Sequence, residues 1–433
     1  MSASHSSADV ADHLQPPTPP GMEPFRLNGF QRNKLFFSLM IGFFLIFVCY
    51  ASVGAVFLPA ALSELDEANK ENNLAAIMSL TAVFTMFVQP IVGAVSDRTR
   101  SRFGRRTPWM VLGGLSGGTI VILMQFANTF AYLAICAILV QVLLNIMQGP
   151  ISTIIADRVS FNHRAFGSSW VGVGQALGIS GGMALAGNLI NQMGVGYTLF
   201  GSTMIVVTLL FVVLNKDKDS TGLVRDAFSW KEFGLGFVRP LNFRKHPDFV
   251  WAFGGRFFMV LGYQAIQAYG LYILTDYIGL PITDAGQVLG IMSILTMITM
   301  MISTVLFGRL SDSTGRRKIF VFGSSALMAI AIAVPMVVPT TMSMYIYAFL
   351  VGIGYGAYTS VDLALMIDVL PSSGTIGKDL GVLNLASNIP QILVPILAAF
   401  LITLFGNYVV IFVYAIVGVI VSSLLVFPIK SVK

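Results

Sequence analysis

Long apolar runs separated by short polar loops dominate this chain. They lie at 35–62, 74–95, 108–126, 129–155, 165–190, 196–214, 249–274, 284–308, 318–338, 342–367, 379–404 and 407–428. A helix needs about 20 apolar residues to cross a bilayer, so each run is read as one spanning helix, twelve in all. Residues 1–33 are rich in Ser, Pro, Asp and His, include Gln15-Pro-Pro-Thr-Pro-Pro20, and are read as a disordered tail. This tail lacks the basic start and apolar centre of a signal peptide. One long polar stretch, Asn215 to Pro247, breaks the series in the middle and reads as a linker between two sets of six spans. Phe228, Trp230, Phe233 and Phe237 within it are expected to lay a short helix on the membrane surface.

Composition excludes an ordinary soluble enzyme. The chain of 433 residues is 55% apolar and 11% charged, with a mean hydropathy of +0.80, against about 25% charged residues in a soluble domain. The two cysteines, Cys49 and Cys136, lie inside apolar runs, and His5, His13, His163 and His246 all lie outside them. Neither a disulfide framework nor a metal centre is expected, and no cofactor is called for. No phosphate loop of the form Gly-x-x-x-x-Gly-Lys-Ser/Thr is present, so the chain itself is not expected to hydrolyse ATP.

The net charge of +6 changes meaning once its positions are read. Of 26 Lys and Arg residues, 24 fall in the two terminal segments and the even-numbered loops, Lys70 lies alone in an odd-numbered loop, and Arg256 lies inside a span. Basic residues resist translocation, so both termini and loops 2–3, 4–5, 6–7, 8–9 and 10–11 are predicted to be cytoplasmic. The charge then reports topology in a cell membrane, and no nucleic-acid partner is implied.

The chain also repeats. Gly93-Ala-Val-Ser-Asp97 followed by Gly104-Arg105-Arg106 returns as Gly308-Arg-Leu-Ser-Asp312 followed by Gly315-Arg316-Arg317, at offsets of 215 and 211 residues. Ala156-Asp157-Arg-Val returns as Ile367-Asp368-Val-Leu, again 211 residues later. An even number of spans per unit gives both units the same orientation, so the two halves are related by an axis along the membrane normal. The expected fold is an all-α membrane protein with twelve transmembrane helices in two six-helix pseudo-symmetric bundles. Its parts are a tail at 1–33, bundles at 34–214 and 248–428, a linker at 215–247 and a short C-terminal tail at 429–433.

At these landmarks the chain resembles the major facilitator superfamily from residue 34 to 428. The longer first copy, Asp97-Arg-Thr-Arg-Ser-Arg-Phe-Gly104-Arg-Arg-Thr-Pro108-Trp109, is similar to the version in the glycoside, pentoside and hexuronide cation symporters and in sucrose transporters. Asp368-Val-Leu-Pro371, Gly381-Val-Leu-Asn384 and Pro390-Gln391 are similar to the same group. The resemblance implies a monomeric secondary transporter working by alternating access. It further implies a cytoplasmic gate at Gly93, Asp97, Arg98, Gly104, Arg105, Arg106 and Asp157, with counterparts Gly308, Asp312, Gly315, Arg316, Arg317 and Asp368. Sodium-coupled members of the group are expected to carry carboxylates within spans 2 and 4. Here neither span has an acid before Asp97 or Asp157, so their sodium site does not transfer and protons are the favoured coupling ion.

Polar groups inside hydrocarbon point to the site. Charge at a helix centre costs about 2.5–3.5 kcal/mol on insertion scales, so it is normally paired or functional. Arg256 in span 7 and Asp362 in span 10 are the two such residues, at matching depths, and form a candidate proton-coupling pair. Gln141, Asn145 and Gln148 in span 4 fall at i, i+4 and i+7, as do Asn384, Asn388 and Gln391 in span 11. Each set therefore shares one helix face. Gln175, Gln264 and Gln267 add amides in spans 5 and 7, while Trp170, Tyr263 and Tyr358 offer flat apolar faces with a polar edge. Sugar hydroxyls need donors and acceptors together, and an amide supplies both. The same amides also serve as ties between helices, so each stripe is as consistent with packing as with substrate contact. The leading expectation is import of a small sugar or glycoside with protons across the lipid bilayer. The alternative is an exporter of drugs or metabolites, or a lipid carrier, of the same fold.

Orientation is directly testable. A cysteine at Asn72, in the loop holding Lys70, should react with an impermeant thiol reagent added to intact cells. Reaction only after permeabilisation would reverse the topology.

Overall fold

The computed structural model describes residues 29–222, 247–369 and 376–429, with side chains over the same ranges except at 161–162, 363–364, 367–368 and 376–384. The expected surface helix around Phe228 to Phe237 lies outside the described residues, as do the side chains of Asp368 and Asn384.

Twelve long helices fill the described chain: α1 (Gly29–Leu65), α2 (Lys70–Arg98), α3 (Thr107–Leu123), α4 (Phe130–Arg158), α5 (Phe161–Asn188) and α6 (Met193–Leu214) form the first set. The second set is α7 (Pro247–Ala268, continued to Tyr277), α8 (Ile282–Thr314), α9 (Arg317–Val337), α10 (Thr341–Asp368), α11 (Ile376–Phe405) and α12 (Val409–Leu425). Ten are long and apolar enough by themselves to cross a membrane. Glycine-rich α5 and the 17-residue α12 complete the twelve-helix count. Helix α1 begins at Gly29, so residues 29–33, grouped above with the tail, are helical. Large apolar side chains such as Phe84, Ile135, Val206, Ile302, Ile330 and Phe400 point outward, as a lipid-facing surface requires.

The packing repeats with the sequence. In the first half α1 packs on α5 and α6, α2 on α4, and α3 on α4 and α6. In the second, α7 packs on α11 and α12, α8 on α10, and α9 on α10 and α12. Every pairing is thus reproduced six helices later. The halves meet along two seams, α5 against α8 and α2 against α11, which the same symmetry exchanges. Gly104 and Gly315, equivalent in the repeat, both adopt the left-handed conformation (φ 88° and 64°) that favours glycine at the turn after a helix.

Small residues set the spacing at the seams. Along α5 a Cβ at Gly174, Gly178 or Gly182 would run into the carbonyl oxygens of Met40, Phe44 and Val48 of α1, so this i, i+4, i+8 row lets two backbones touch. Between the halves Gly187 of α5 lies backbone-to-backbone with Gly286 of α8. Close by, Asn191 Nδ2 donates to Thr283 Oγ1 (2.9 Å), and Ser180 Oγ donates to the Ser293 carbonyl (3.0 Å). These contacts lie away from the arginine-rich loops, here called the basic face, toward the opposite face of the molecule.

The first helix of each half is locally underwound near the opposite face. Ser52–Phe57 of α1 and Ile273–Tyr277 of α7 form π turns, a distortion common at functional sites. Gly178→Leu should disrupt the α1–α5 row, destabilising the fold by about 1–3 kcal/mol, the usual cost of overpacking. Gly172→Leu, where a side chain meets nothing within 4 Å, should be tolerated. Equal melting temperatures for the two detergent-solubilised variants would contradict this packing.

Candidate functional site

Between the halves lies a cavity of about 300 Å³. Its walls come from α1, α2, α4 and α5 of the first half and α7 and α11 of the second. Four glutamines line it: Gln141 of α4, Gln264 and Gln267 of α7, and Gln391 of α11. The α1 π turn supplies Val53, Gly54 and Ala55, while Tyr50, Thr81 and Thr85 add hydroxyl groups. The π turn at 52–57 was not visible in the sequence, since no proline or charge marks it before Pro59.

Nearer the basic face a second cavity of about 180 Å³ lies wholly within the first half. Gln89, Gln148 and Gln175 line it with Ser152 and Ser168. The Tyr50 hydroxyl, on the wall of the larger cavity, donates to Gln148 Oε1 (3.2 Å) on the wall of the smaller. The α4 stripe therefore runs from one cavity to the other. Its middle member, Asn145, faces neither space. It is buried, accepts from Gln89 Nε2 (2.7 Å) and donates to the Gln141 carbonyl (2.8 Å). With both ends of its amide engaged, Asn145 ties α4 to α2.

Trp170 and Asn388 also lie outside the walls of both cavities. Trp170 packs edge-on against Phe166 of its own helix (6.4 Å, 81°). Its position one to two turns into a small-residue span marked it for substrate, and there it meets Phe166 in this T-shaped contact.

In the second half the two charged residues inside the membrane meet. Arg256 Nη1 lies 3.5 Å from Asp362 Oδ2, and Arg256 Nε donates to Ser387 Oγ (2.8 Å). Asp362 is 8% exposed, and the Tyr358 hydroxyl donates to its Oδ1 (3.0 Å). Tyr263 stacks on Tyr355 at 4.2 Å and 18°, and Tyr355 lies parallel to Tyr358 at 6.5 Å and 17°. Gln267 Nε2 donates to the Tyr263 hydroxyl (3.0 Å). A continuous row of side chains thus leads from cavity-lining Gln267 through three tyrosines to the Asp362–Arg256 pair. Tyr358, a candidate substrate contact in the sequence, donates to Asp362 and is buried.

At the basic face the first copy of the repeated motif forms a network. Arg106, nearly buried, lies 2.7 Å from Asp97 Oδ1, donates from Nε to Asp157 Oδ2 (3.1 Å) and from Nη1 to Ser96 Oγ (2.6 Å). Arg105 donates to Asp157 Oδ1 (2.8 Å) and lies 3.8 Å from Asp97. These arginines offset the unfavourable position of Asp97 at a helix C-terminus. Every partner belongs to the first half, so the network joins α2, α4 and the 2–3 loop rather than bridging the halves. Arg158 extends it to Asp217 (2.9 Å), at the start of the inter-half linker. The second copy differs: Asp312 is exposed and makes no ion pair among the described residues. Gly93 has open space beside it, and Gly308 faces only Ser360.

Comparison with known proteins agrees with this architecture. The profile of the Major Facilitator Superfamily matches residues 39–306 and 287–433. The chain belongs to the major facilitator superfamily. It is accordingly a multi-pass transport protein that handles a small-molecule substrate in a membrane, and not an enzyme. A general alpha-glucoside permease of Schizosaccharomyces pombe is 30% identical over 113 residues, 22% of this chain and 20% of the permease. The transporter asaE of Aspergillus flavus is 25% identical over 351 residues, 77% of this chain and 72% of that protein. An uncharacterized symporter of Synechocystis, sll1374, is 50% identical over 40 residues, 9% of this chain and 7% of its own length. Among solved structures, the nucleoside transporter NupG superposes with a TM-score of 0.71 at 14% identity, covering 91% of this chain and 98% of that one. An inward-facing, unoccupied bacterial homologue of the lysosomal transporter Spinster gives 0.72 at 14%, covering 93% and 98%. At these identities the structures share the fold alone.

The network at Arg106 makes an ordered prediction. Asp157 accepts from both Arg105 and Arg106, whereas Asp97 is about half exposed. Asp157→Asn should therefore cost more stability than Asp97→Asn, about 1–3 kcal/mol as for hydrogen bonds between charged groups. Thermal unfolding of the two purified variants checks the order, and a larger loss in Asp97→Asn would contradict it.

Proposed function

We propose that this protein is a proton-coupled importer of a small sugar or glycoside, with both termini in the cytoplasm. The observation that carries the reading is the set of four glutamines, drawn from α4, α7 and α11, around one cavity shared by the two halves. Amides offer a donor and an acceptor each, matching a ring of hydroxyls, and Tyr50 supplies an aromatic surface with a polar edge. Gln148 and Gln175 continue the polar lining toward the basic face. The alpha-glucoside permease among the relatives and the form of the first loop motif support a sugar. The halves are assigned to 34–214 and 248–428, joined by the linker 215–247 on the cytoplasmic side. The Asp97–Arg106–Asp157 network is assigned to the cytoplasmic gate, with Asp312, Arg316 and Arg317 as its second-half counterparts.

Coupling is assigned to Asp362 and Arg256. A transported proton needs a site that is protonated from one side and deprotonated toward the other. Burial favours a neutral carboxyl, while an adjacent guanidinium favours the charged form. Separation of the pair, driven by substrate through Gln267 and the stacked tyrosines, lets Asp362 take a proton, and reunion releases it. Sodium is disfavoured because hard cations seek several oxygen ligands, usually including carboxylates. Neither α2 nor α4 carries an acid between its ends in the membrane.

Vesicle uptake of labelled sugars under imposed proton or sodium gradients tests this reading. Asp362→Asn should abolish uphill accumulation while leaving solute exchange measurable, and Arg256→Gln should alter the pH dependence of uptake. Proton-driven accumulation persisting in Asp362→Asn would make the pair a structural pin.

A further inference from the structure

The only Lys or Arg between the first two helices, Lys70, is not free in solvent. It is 6% exposed, at the start of α2, and lies against the other half of the molecule. Its ammonium is 2.8 Å from Asp276 of the α7 π turn and 2.9 Å from Glu67, and lies 5.2 Å from the centre of the Tyr272 ring. Beside it the Tyr408 hydroxyl, at the head of α12, bridges Glu71 Oε1 (2.5 Å) and Asp276 Oδ2 (2.8 Å). Two further tyrosines reach the same boundary: Tyr272 donates to the Pro59 carbonyl (3.0 Å), and the Tyr269 hydroxyl sits between the Pro395 carbonyl of its own half (2.9 Å) and the Glu71 carbonyl (3.2 Å).

We propose that Lys70, Asp276 and Tyr408 form a charged clasp that holds the face opposite the basic loops shut, and whose release admits solute to the cavity from outside. Asp276 lies in the α7 π turn, the segment just before that turn, Gly270–Tyr272, packs on the α1 π turn, and Leu58, next to the α1 turn, lines the cavity with Ala268 of α7. Lys70 is buried whereas Asp276 is partly exposed, so removing Asp276 leaves the ammonium with Glu67 of its own half and takes away the charge that ties it to the other half. Opening does not strand them. Lys70 keeps Glu67, which precedes it on the same half and is exposed, while Asp276 gains water from the widened cleft. The pair therefore stabilises the closed state without forbidding the open one. The location "outside" rests on the orientation proposed above. The test uses no transported solute, so its failure is distinct from failure of the sugar or proton assignment.

The experiment places a reporter cysteine at Thr81, on the cavity wall, in the full-length protein in intact cells. The rate of modification by an impermeant cationic thiosulfonate added outside is compared with the same background lacking the reporter, which corrects for Cys49 and Cys136. Lys70→Met and Asp276→Asn should each raise that rate roughly tenfold, as expected when a minor open state grows from about 1% to about 10%. The exchange Lys70→Asp with Asp276→Lys should return it toward the starting value. Tyr408→Phe, which removes one hydroxyl and no charge, should raise it by a smaller factor and serves if the charge variants fail to reach the membrane. Unchanged labelling in Asp276→Asn and Tyr408→Phe, or no recovery in the exchanged pair, would overturn the proposal.

Discussion

A polar group in hydrocarbon must find its partner within the protein, because no water is there to replace it. This constraint organises the molecule. Both halves use buried polar side chains as ties between neighbouring helices, as with Asn145 and Gln89 or Ser303 and the Ile353 carbonyl. The cavity glutamines and the Lys70 cluster lie where the halves face each other. The Asp362–Arg256 pair lies within the second half and is joined to the cavity by Gln267 and the row of tyrosines.

The two ends of the molecule meet the constraint differently. At the basic face the Arg105, Arg106 and Asp157 network is complete inside one half, so the first bundle moves as a unit with its loop and the start of the linker. At the opposite face the ionic contacts pass from one half to the other between α2 and α7, while on the other seam Gly187 and Gly286 bring α5 and α8 together. A movement that opens this face disrupts Lys70–Asp276 and leaves the basic-face network intact. Buried ion pairs contribute modestly to stability but set register well in the best-attested cases. That is the role a reversible closure needs.

Much of the fold was legible because its signals are long. Twelve apolar runs and a repeat at 211–215 residues each integrate over many positions. The ion pair at Arg256 was legible for the opposite reason, since two charges in otherwise apolar spans cannot be overlooked. The π turns were hidden because they depend on how α1 and α7 are packed rather than on local composition. Lys70 carried a signal that was read too simply: a lone lysine in a loop poor in basic residues marked topology, and its burial against Asp276 came only with the three-dimensional fold. Trp170 and Asn145 failed as cavity residues for a shared reason. Helix periodicity gives the face of a side chain, but not whether a neighbour such as Phe166 or Gln89 already occupies it.

Two halves that rock about a shared cavity must open one face as they close the other, and distance measurements at both faces reach that claim most directly. Spin labels at Phe103 and Ser313 report the basic face, and labels at Asn128 and Val338 report the opposite face, all at exposed positions. In lipid nanodiscs, pulsed electron–electron resonance should find two populations for each pair. Conditions that lengthen the Asn128–Val338 distance should shorten Phe103–Ser313 in equal proportion. Distances that lengthen together, as in a continuous pore, would contradict the account.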